Sequence, residues 1–565
     1  MKAVSIDDRV AREAQDVDPD VAFLPELLHV HKTWARTFNC RPEYYFQPRT
    51  LEEIQKIVKI ARRLKRRIVV VGCGHSPSDI TCTSSWMMNL DNYQRVLNVD
   101  LEKKILTVEG GIRLRQLNDE AAKYNLTMPN LGSINDQSIA GAIATATHGS
   151  SLKHGLMSES IKAIKIVLGD GSAVRCSAQD NVELFRAALV SIGGLGILVE
   201  VDFQLDDHSN IEWSQTLKPL DWVLSDWEKD LWTKREFTRV WWLPYMKRAV
   251  VWSASKTSTP ERAAVASWYG GSVGFHTYHI LLWLSNYVPR ILPAIEWFVF
   301  GMQYGFKNDI VTSAIEPQRS GLLMNCLYSQ FVNEWALPLS SGPEAITRLS
   351  NWLNREPGHN IPFDNSGLYV HAPIEVRVTD STAMQPKPYL DNTNRNGPTL
   401  YLNATLYRPF FQDPPCHERY YEAFEWLMKD LGAKPHWAKN FHTVTQSDIA
   451  DMYGEDLSSY LRVRNDTDPD GVFVGAWHRR YILPASQPAF ACEEHEVARM
   501  HAANGGKDWF GDLSGVPASR MQDGLYGDTG VTPIEDEERE PLLDGRTRDG
   551  TAAAGVTGVR VFDKM

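Results

Sequence analysis

A chain of 565 residues that is 43% hydrophobic and 23% charged has the texture of a soluble globular protein, long enough for two or three domains with substantial cores. A formal net charge of −11, with no basic cluster larger than residues 62–67, excludes nucleic-acid binding; that cluster reads as a solvated helix end. Seven cysteines without a Cys-x-x-Cys pair or a Cys/His ligand spacing exclude a disulfide framework and a metal site.

Residues 1–25 read as a flexible polar leader. Thr50 and Glu53 form a capping pattern, and Leu51, Ile54, Val58, Ala61 and Leu64 recur at helical spacing before an Ile68 to Val71 strand. The strand runs into Gly72-Cys73-Gly74-His75-Ser76-Pro77. Glycines after a buried strand let backbone amides approach an anion closely. There is no third glycine and no immediate helix, so this is not the dinucleotide fingerprint of the doubly wound fold, and Pro77 pushes Ser76 toward extended backbone. A pyrophosphate fits the turn, and His75 supplies a nucleophilic imidazole.

Residues 106–111 read as a strand with a glycine turn and 114–124 as a helix. The stretch 130–149 is dense in small residues and hydroxyls, including Gly132, Ser133, Ser138, Gly141, Thr145 and Gly149, which lets backbone lie close to a planar ligand. Residues 161–176 read as a hairpin. The run Gly193-Gly194-Leu195-Gly196 leading to Val199 reads as backbone that approaches a ligand. After about residue 207, alternating aromatic and polar residues, as in Arg239-Val240-Trp241-Trp242-Leu243, suit an antiparallel sheet. A hydrophobic segment at 280–306 is broken by Asn286, Pro289, Arg290, Pro293 and Glu296, so it is not a membrane span, but its aromatic content suits contact with a membrane surface. Glu375 and Arg377 share one face of a strand because side chains two apart point the same way. Residues 434–441 supply His436 and Lys439. Residues 456–473 read as a helix and a turn, and 485–565 as a disordered tail.

The Val69 to Asp79 stretch resembles the flavin-linking loop of the aldonolactone oxidases, a branch of the vanillyl-alcohol-oxidase-type flavoproteins. His29-Val30-His31-Lys32-Thr33-Trp34-Ala35-Arg36 and Cys82-Thr83-Ser84-Ser85-Trp86 resemble the fungal members that act on D-arabinono-1,4-lactone. The resemblance spans about residues 28–484 and implies an α+β fold: a two-part PCMH-type FAD-binding domain at 38–206, a substrate (cap) domain at 207–439 built on an antiparallel sheet, and a segment at 440–484 that returns to the flavin domain. It implies one FAD per chain, bonded through its 8α-methyl to His75, with Gly72, Cys73, Gly74, Ser76, Pro77, Gly132, Ser133, Ser138, Gly141, Thr145, Gly149 and Val199 around it.

It also implies that Glu375 binds substrate, Arg377 stabilises the alkoxide and Lys439 assists deprotonation as the C2 alcohol of an aldono-1,4-lactone is oxidised. Gly132 stands where the similar plant galactonolactone dehydrogenases carry an alanine that blocks oxygen. An oxidase using molecular oxygen and releasing hydrogen peroxide is therefore expected, with a dehydrogenase feeding a respiratory acceptor, or a non-catalytic flavin-binding membrane protein, as alternatives. The family's mitochondrial-membrane association is the expected location.

Overall fold

The computed structural model describes residues 6–265, 268–269, 271–324 and 326–483. Thr50 Oγ1 accepts from the Glu53 amide at 3.2 Å and Glu53 accepts from the Arg49 amide at 2.7 Å, so the helix Leu51–Arg63 begins at its capping pattern. Ile54, Val58 and Ala61 are fully buried. They pack on a three-stranded parallel sheet ordered Tyr44–Phe46, Trp86–Asn89, Ile68–Val71. Truncating one such buried isoleucine to alanine costs about 2–5 kcal/mol, so this face fixes where the strand before His75 ends.

A second, antiparallel sheet lies in the order Ala173–Ser177, Ile161–Val167, Ile197–Gln204, Ile105–Glu109, Val96–Asp100. Its hairpin turns at Gly171, whose φ of +84° is left-handed backbone that glycine adopts without penalty. The third sheet has eight antiparallel strands: Val311–Pro317, Asn210–Pro219, Arg248–Thr257, Phe237–Leu243, Ile374–Thr379, Thr399–Tyr407, Gln330–Pro338 and Lys434–Pro435. Each strand's neighbour is fixed by continuous register over a largely buried face, because a one-residue slip would turn every core side chain outward.

The helix Glu455–Thr467 is followed by a turn in which the Asp468 carboxylate accepts the amides of Val472 and Phe473 at 2.8 and 2.9 Å. Val472 and Phe473 then join the core of the parallel sheet, where the Ile68 amide donates to Val472 O at 2.7 Å.

Two expectations are corrected. The described part of the expected flexible leader, residues 6–25, is not without order: Asp7 caps a helix Asp8–Asp16, accepting from the Arg9 amide at 2.8 Å. Val10 and Val17, seven apart and so on one face, are buried in the parallel-sheet core. The 62–67 cluster is not uniformly solvated either. Arg62 pairs with Asp470 and Arg63 with Glu13 and Asp16, while Arg67 is buried. The 485–565 tail lies outside the described residues. The 280–306 segment folds as two helices, Ser272–Ser285 and Leu292–Tyr304, packed against each other. Among the described residues no helix is long and apolar enough to cross a membrane.

Candidate active site

The Ile68–Val71 strand delivers Gly72, Cys73 and Gly74 to the edge of a cleft. A Cβ on Gly72 would collide with Ser138 Oγ, so glycine is what lets this turn touch the 130–149 stretch. Gly74 has φ +65°, and its carbonyl is fixed by the Trp34 amide at 2.7 Å. Among the described residues the amides of Gly72, Cys73 and Gly74 donate to no protein acceptor. Free amides in a glycine turn are what a pyrophosphate requires. His75, Ser76, Ser138, Gly141 and Thr145 line the same cleft, with Ile192, Gly193, Phe473 and His478 opposite.

The His75 ring stacks on Trp34 at 4.8 Å. Burial, reinforced by Lys439 and Arg113 against the opposing pull of Asp136, lowers its pKa to about 4. It is therefore a neutral imidazole at physiological pH, the form that carries a nucleophilic lone pair, and no hydrogen bond among the described residues engages it. The cradle and the imidazole fit a flavin dinucleotide.

Glu334, Glu375 and Arg377 come from the eight-stranded sheet, and its register explains why they meet. Trp241, Glu375, Asn403 and Glu334 are successive partners across four strands, so their side chains share one face. Arg377 lies two residues after Glu375, opposite Tyr401, on the same face. Arg377 Nη2 donates to Glu334 Oε1 at 2.5 Å, its Nε lies 3.4 Å from Glu375 Oε2, and its Nη1 reaches Ser133 Oγ at 3.3 Å. Lys439 Nζ lies 3.8 Å from Glu334 Oε2 and His148 Nε2 3.4 Å from Glu334 Oε1.

Glu334 is 1% exposed. Burial alone would raise its pKa, but Arg377, His148 and Lys439 outweigh it and hold the carboxyl well below the usual range. Arg377 is held above its ordinary value: burial opposes, yet Glu334 and Glu375 prevail. His148 stacks on Tyr401 at 3.5 Å, and burial and then Arg377 keep it neutral against Glu334. His148, Glu334 and His436 stand close enough to hold a metal ion. The same carboxylate is already committed to two cations, which repel a third.

Pro77 joins the two halves. Its carbonyl accepts from Thr37 Oγ1 at 2.5 Å and from Asn440 Nδ2 at 3.1 Å, so the loop after His75 is tied to the residue next to Lys439. Gly132 lies beside Ser133 under Arg377; a Cβ there would meet Thr147 Cγ2 at 3.2 Å and His148 O at 3.5 Å. Five expected cofactor residues, Pro77, Gly132, Ser133, Gly149 and Val199, are not among those lining the cleft. Val199 is buried in the core with its carbonyl bonded to the Gly110 amide at 2.8 Å, and Gly149 packs against Asn130 while its carbonyl accepts from His148 Nδ1 at 2.9 Å. Sequence reasoning missed Glu334, His148 and Tyr401. The available signal was a carboxylate between the apolar pairs Phe331-Val332 and Trp335-Ala336 of one strand-like stretch, since a buried charge must be paired.

Residues 201–481 match the family described as D-arabinono-1,4-lactone oxidase and residues 42–177 the family described as FAD binding domain. D-arabinono-1,4-lactone oxidase from Yarrowia lipolytica is 39% identical over 79% of this chain and 96% of its own, and that from Candida albicans is 37% identical over 80% and 96%. The chain belongs to the D-arabinono-1,4-lactone oxidase family. A Neurospora crassa protein that carries the same name provisionally is 51% identical, over 84% of this chain and 89% of its own. Among solved structures, a cholesterol oxidase from B. sterolicum superposes with a TM-score of 0.66 at 14% identity, covering 82% of this chain and 98% of its own, a likeness of fold alone. The glycine turn and the 130–149 stretch fall within the FAD binding domain match, and Glu334, Glu375, Arg377 and Lys439 within the D-arabinono-1,4-lactone oxidase match.

Proposed function

We propose that this protein is an FAD-dependent aldonolactone oxidase that oxidises the C2 alcohol of D-arabinono-1,4-lactone with molecular oxygen, releasing hydrogen peroxide. The observation that carries the reading is that Lys439 lies 3.8 Å from Glu334 within the cationic cluster while its neighbour Asn440 donates through Nδ2 to Pro77 O at 3.1 Å, two residues after His75. The flavin-linking loop and the group that handles the alcohol are thus tied together. The bound flavin supplies the hydride acceptor. Lys439 assists loss of the hydroxyl proton, Arg377 stabilises the developing alkoxide, Glu375 binds a substrate hydroxyl, and Glu334 fixes both cations in place.

FAD is bonded through its 8α-methyl to His75, a reading supported by the neutral, unengaged imidazole. Oxygen reaches the reduced flavin past Gly132, where the missing side chain leaves room. The test is oxygen uptake and peroxide production by purified holoenzyme given D-arabinono-1,4-lactone and L-galactono-1,4-lactone, with in-gel flavin fluorescence after denaturation. Uptake matched by peroxide, and fluorescence lost in His75→Ala, are expected. Flavin bleaching without uptake would convert the assignment to a dehydrogenase. Arg377→Ala should lower kcat about 10²–10³-fold, the cost of removing one preorganised oxyanion donor.

The helical hairpin rests on a membrane surface, and that surface is mitochondrial, a reading supported only by the family resemblance. Support comes from exposed aromatic residues on the hairpin and just before it: Tyr287 is 64% exposed, Trp297 54% and, ahead of the first helix, Trp268 73%. Co-sedimentation with anionic liposomes should fall in a Trp268→Ser/Trp297→Ser variant, and organelle fractionation checks the address. Equal recovery of both proteins with liposomes would remove the hairpin from this role.

A further inference from the structure

We propose that Arg239 is a substrate-binding residue whose guanidinium is held ready for the carbonyl oxygen of the lactone, beside the alcohol served by Arg377. The inference rests on the lactone-oxidase reading and deepens it.

Arg239 lies on the Phe237–Leu243 strand, where Val240 pairs with Val376 and Trp241 with Glu375. Continuing that antiparallel register by one residue sets Arg239 against Arg377, on the same face. On its other side Arg239 pairs with Trp252, and its guanidinium lies over that indole at 5.4 Å. The side chain is 2% exposed, yet among the described residues no carboxylate lies within ion-pair distance and Nε has no hydrogen-bond partner. A buried guanidinium is costly unless it is paired and hydrogen-bonded, and this one faces a second guanidinium.

The surrounding charges make the gap plain. Arg239, Arg377 and Lys439 are three cations around two carboxylates; Glu334 is committed to Arg377 and Lys439, and Glu375 lies against Arg377 with Oε1 unpartnered. Burial lowers the Arg239 pKa to about 10, with Glu375 opposing and Arg377 assisting, so it remains charged at neutral pH. A lactone presents its carbonyl one bond from the C2 alcohol. Two guanidinium groups on adjacent strands, roughly 5 Å apart at their backbones, converge naturally on two such neighbouring oxygens.

The test compares an aldono-1,4-lactone with the matching 1,4-anhydroalditol, which keeps the ring and hydroxyls but lacks the carbonyl. Holoenzyme is used, and flavin reduction and competitive Ki are both measured, so the comparison stands even if the anhydroalditol only binds. Arg239→Gln should lose roughly 10–100-fold in kcat/KM and in affinity for the lactone. Its affinity for the anhydroalditol, and its flavin content, should stay within about twofold of the parent. Arg239→Lys, which keeps charge but not the planar fork, should fall between the two and serves if the glutamine variant does not fold. Equal losses on both compounds, or none on the lactone, would overturn the proposal. A parent enzyme that neither binds nor oxidises the lactone would instead defeat the lactone-oxidase reading.

Discussion

At the scale of single residues, the site is governed by one carboxylate that serves several cations. Glu334 bonds Arg377 at 2.5 Å and lies 3.8 Å from Lys439, so its charge sets where both are held. Removing one member of a buried pair leaves the other uncompensated, a loss of about 3–5 kcal/mol. Glu334→Gln is expected to lower the rate of flavin reduction about 10²-fold and to lower Tm; stopped-flow reduction within a few-fold of the parent would show that Arg377 is positioned by Glu375 alone. Gly132 is a different kind of residue, defined by what is missing. Its added Cβ would press on Thr147 at 3.2 Å, a contact a small shift can relieve. Gly132→Ala should therefore leave anaerobic reduction intact and slow reoxidation by oxygen about tenfold, roughly 1.4 kcal/mol of barrier. Equal slowing of both half-reactions would assign Gly132 to substrate binding instead.

At the scale of elements, the helical hairpin shows how a sequence can be apolar all round without crossing a membrane. Tyr278, Leu282, Val299 and Phe300 face the core, whereas Tyr287 and Trp297 face outward. Glu296, which breaks the apolar run in the sequence, points inward and is 3% exposed, with Oε1 accepting from the Met246 amide at 2.7 Å. Burial pushes its pKa up to about 8, the Met246 and Tyr245 amides opposing, so the folded protein holds it as the neutral acid. A raised carboxyl pKa gives stability that is full below the ordinary value of 4.5 and is lost as pH rises through about 8. Across that window the loss is about 1.4 kcal/mol per pH unit. Glu296→Gln should remove this dependence, so its Tm should gain on the parent between pH 5 and pH 8; parallel Tm curves would mean that the carboxyl is ionised in the fold.

At the scale of the whole molecule, acid should unfold the protein early. His31 and His478 have pKa values lowered to about 4 and His371 to about 3, burial being the largest cause in each. Both nitrogens of His478 are engaged in the neutral form, one with Ile192 O at 2.8 Å and the other accepting from the Gly475 amide at 3.2 Å. Below the ordinary value of 6.5 the unfolded chain binds protons that the fold excludes, so stability rises with pH and is lost as acid takes the protein from 6.5 toward 4. Each ring adds about 1.4 kcal/mol per pH unit to that loss, and a Tm flat from pH 7 to pH 4.5 would contradict it. The flavin-side architecture was legible in the sequence because its signals are local: the Thr50 cap, the Ile68–Val71 strand and the glycines before His75 act on residues a few positions away. Glu375 and Arg377 were legible for the same reason, being two apart on one strand. Glu334, His148 and Arg239 were not: strand pairing sets Glu334 opposite Asn403 and the Arg239 strand beside Ile374–Thr379, while His148 meets Glu334 from outside that sheet, and neither alternation nor spacing says which segments are neighbours. Local signals in the chain set the glycine turn before His75 and the shared Glu375–Arg377 face; only the folded sheet settles which buried charges balance them, because a charge in a low-dielectric interior is set by partners met only once the sheet has closed.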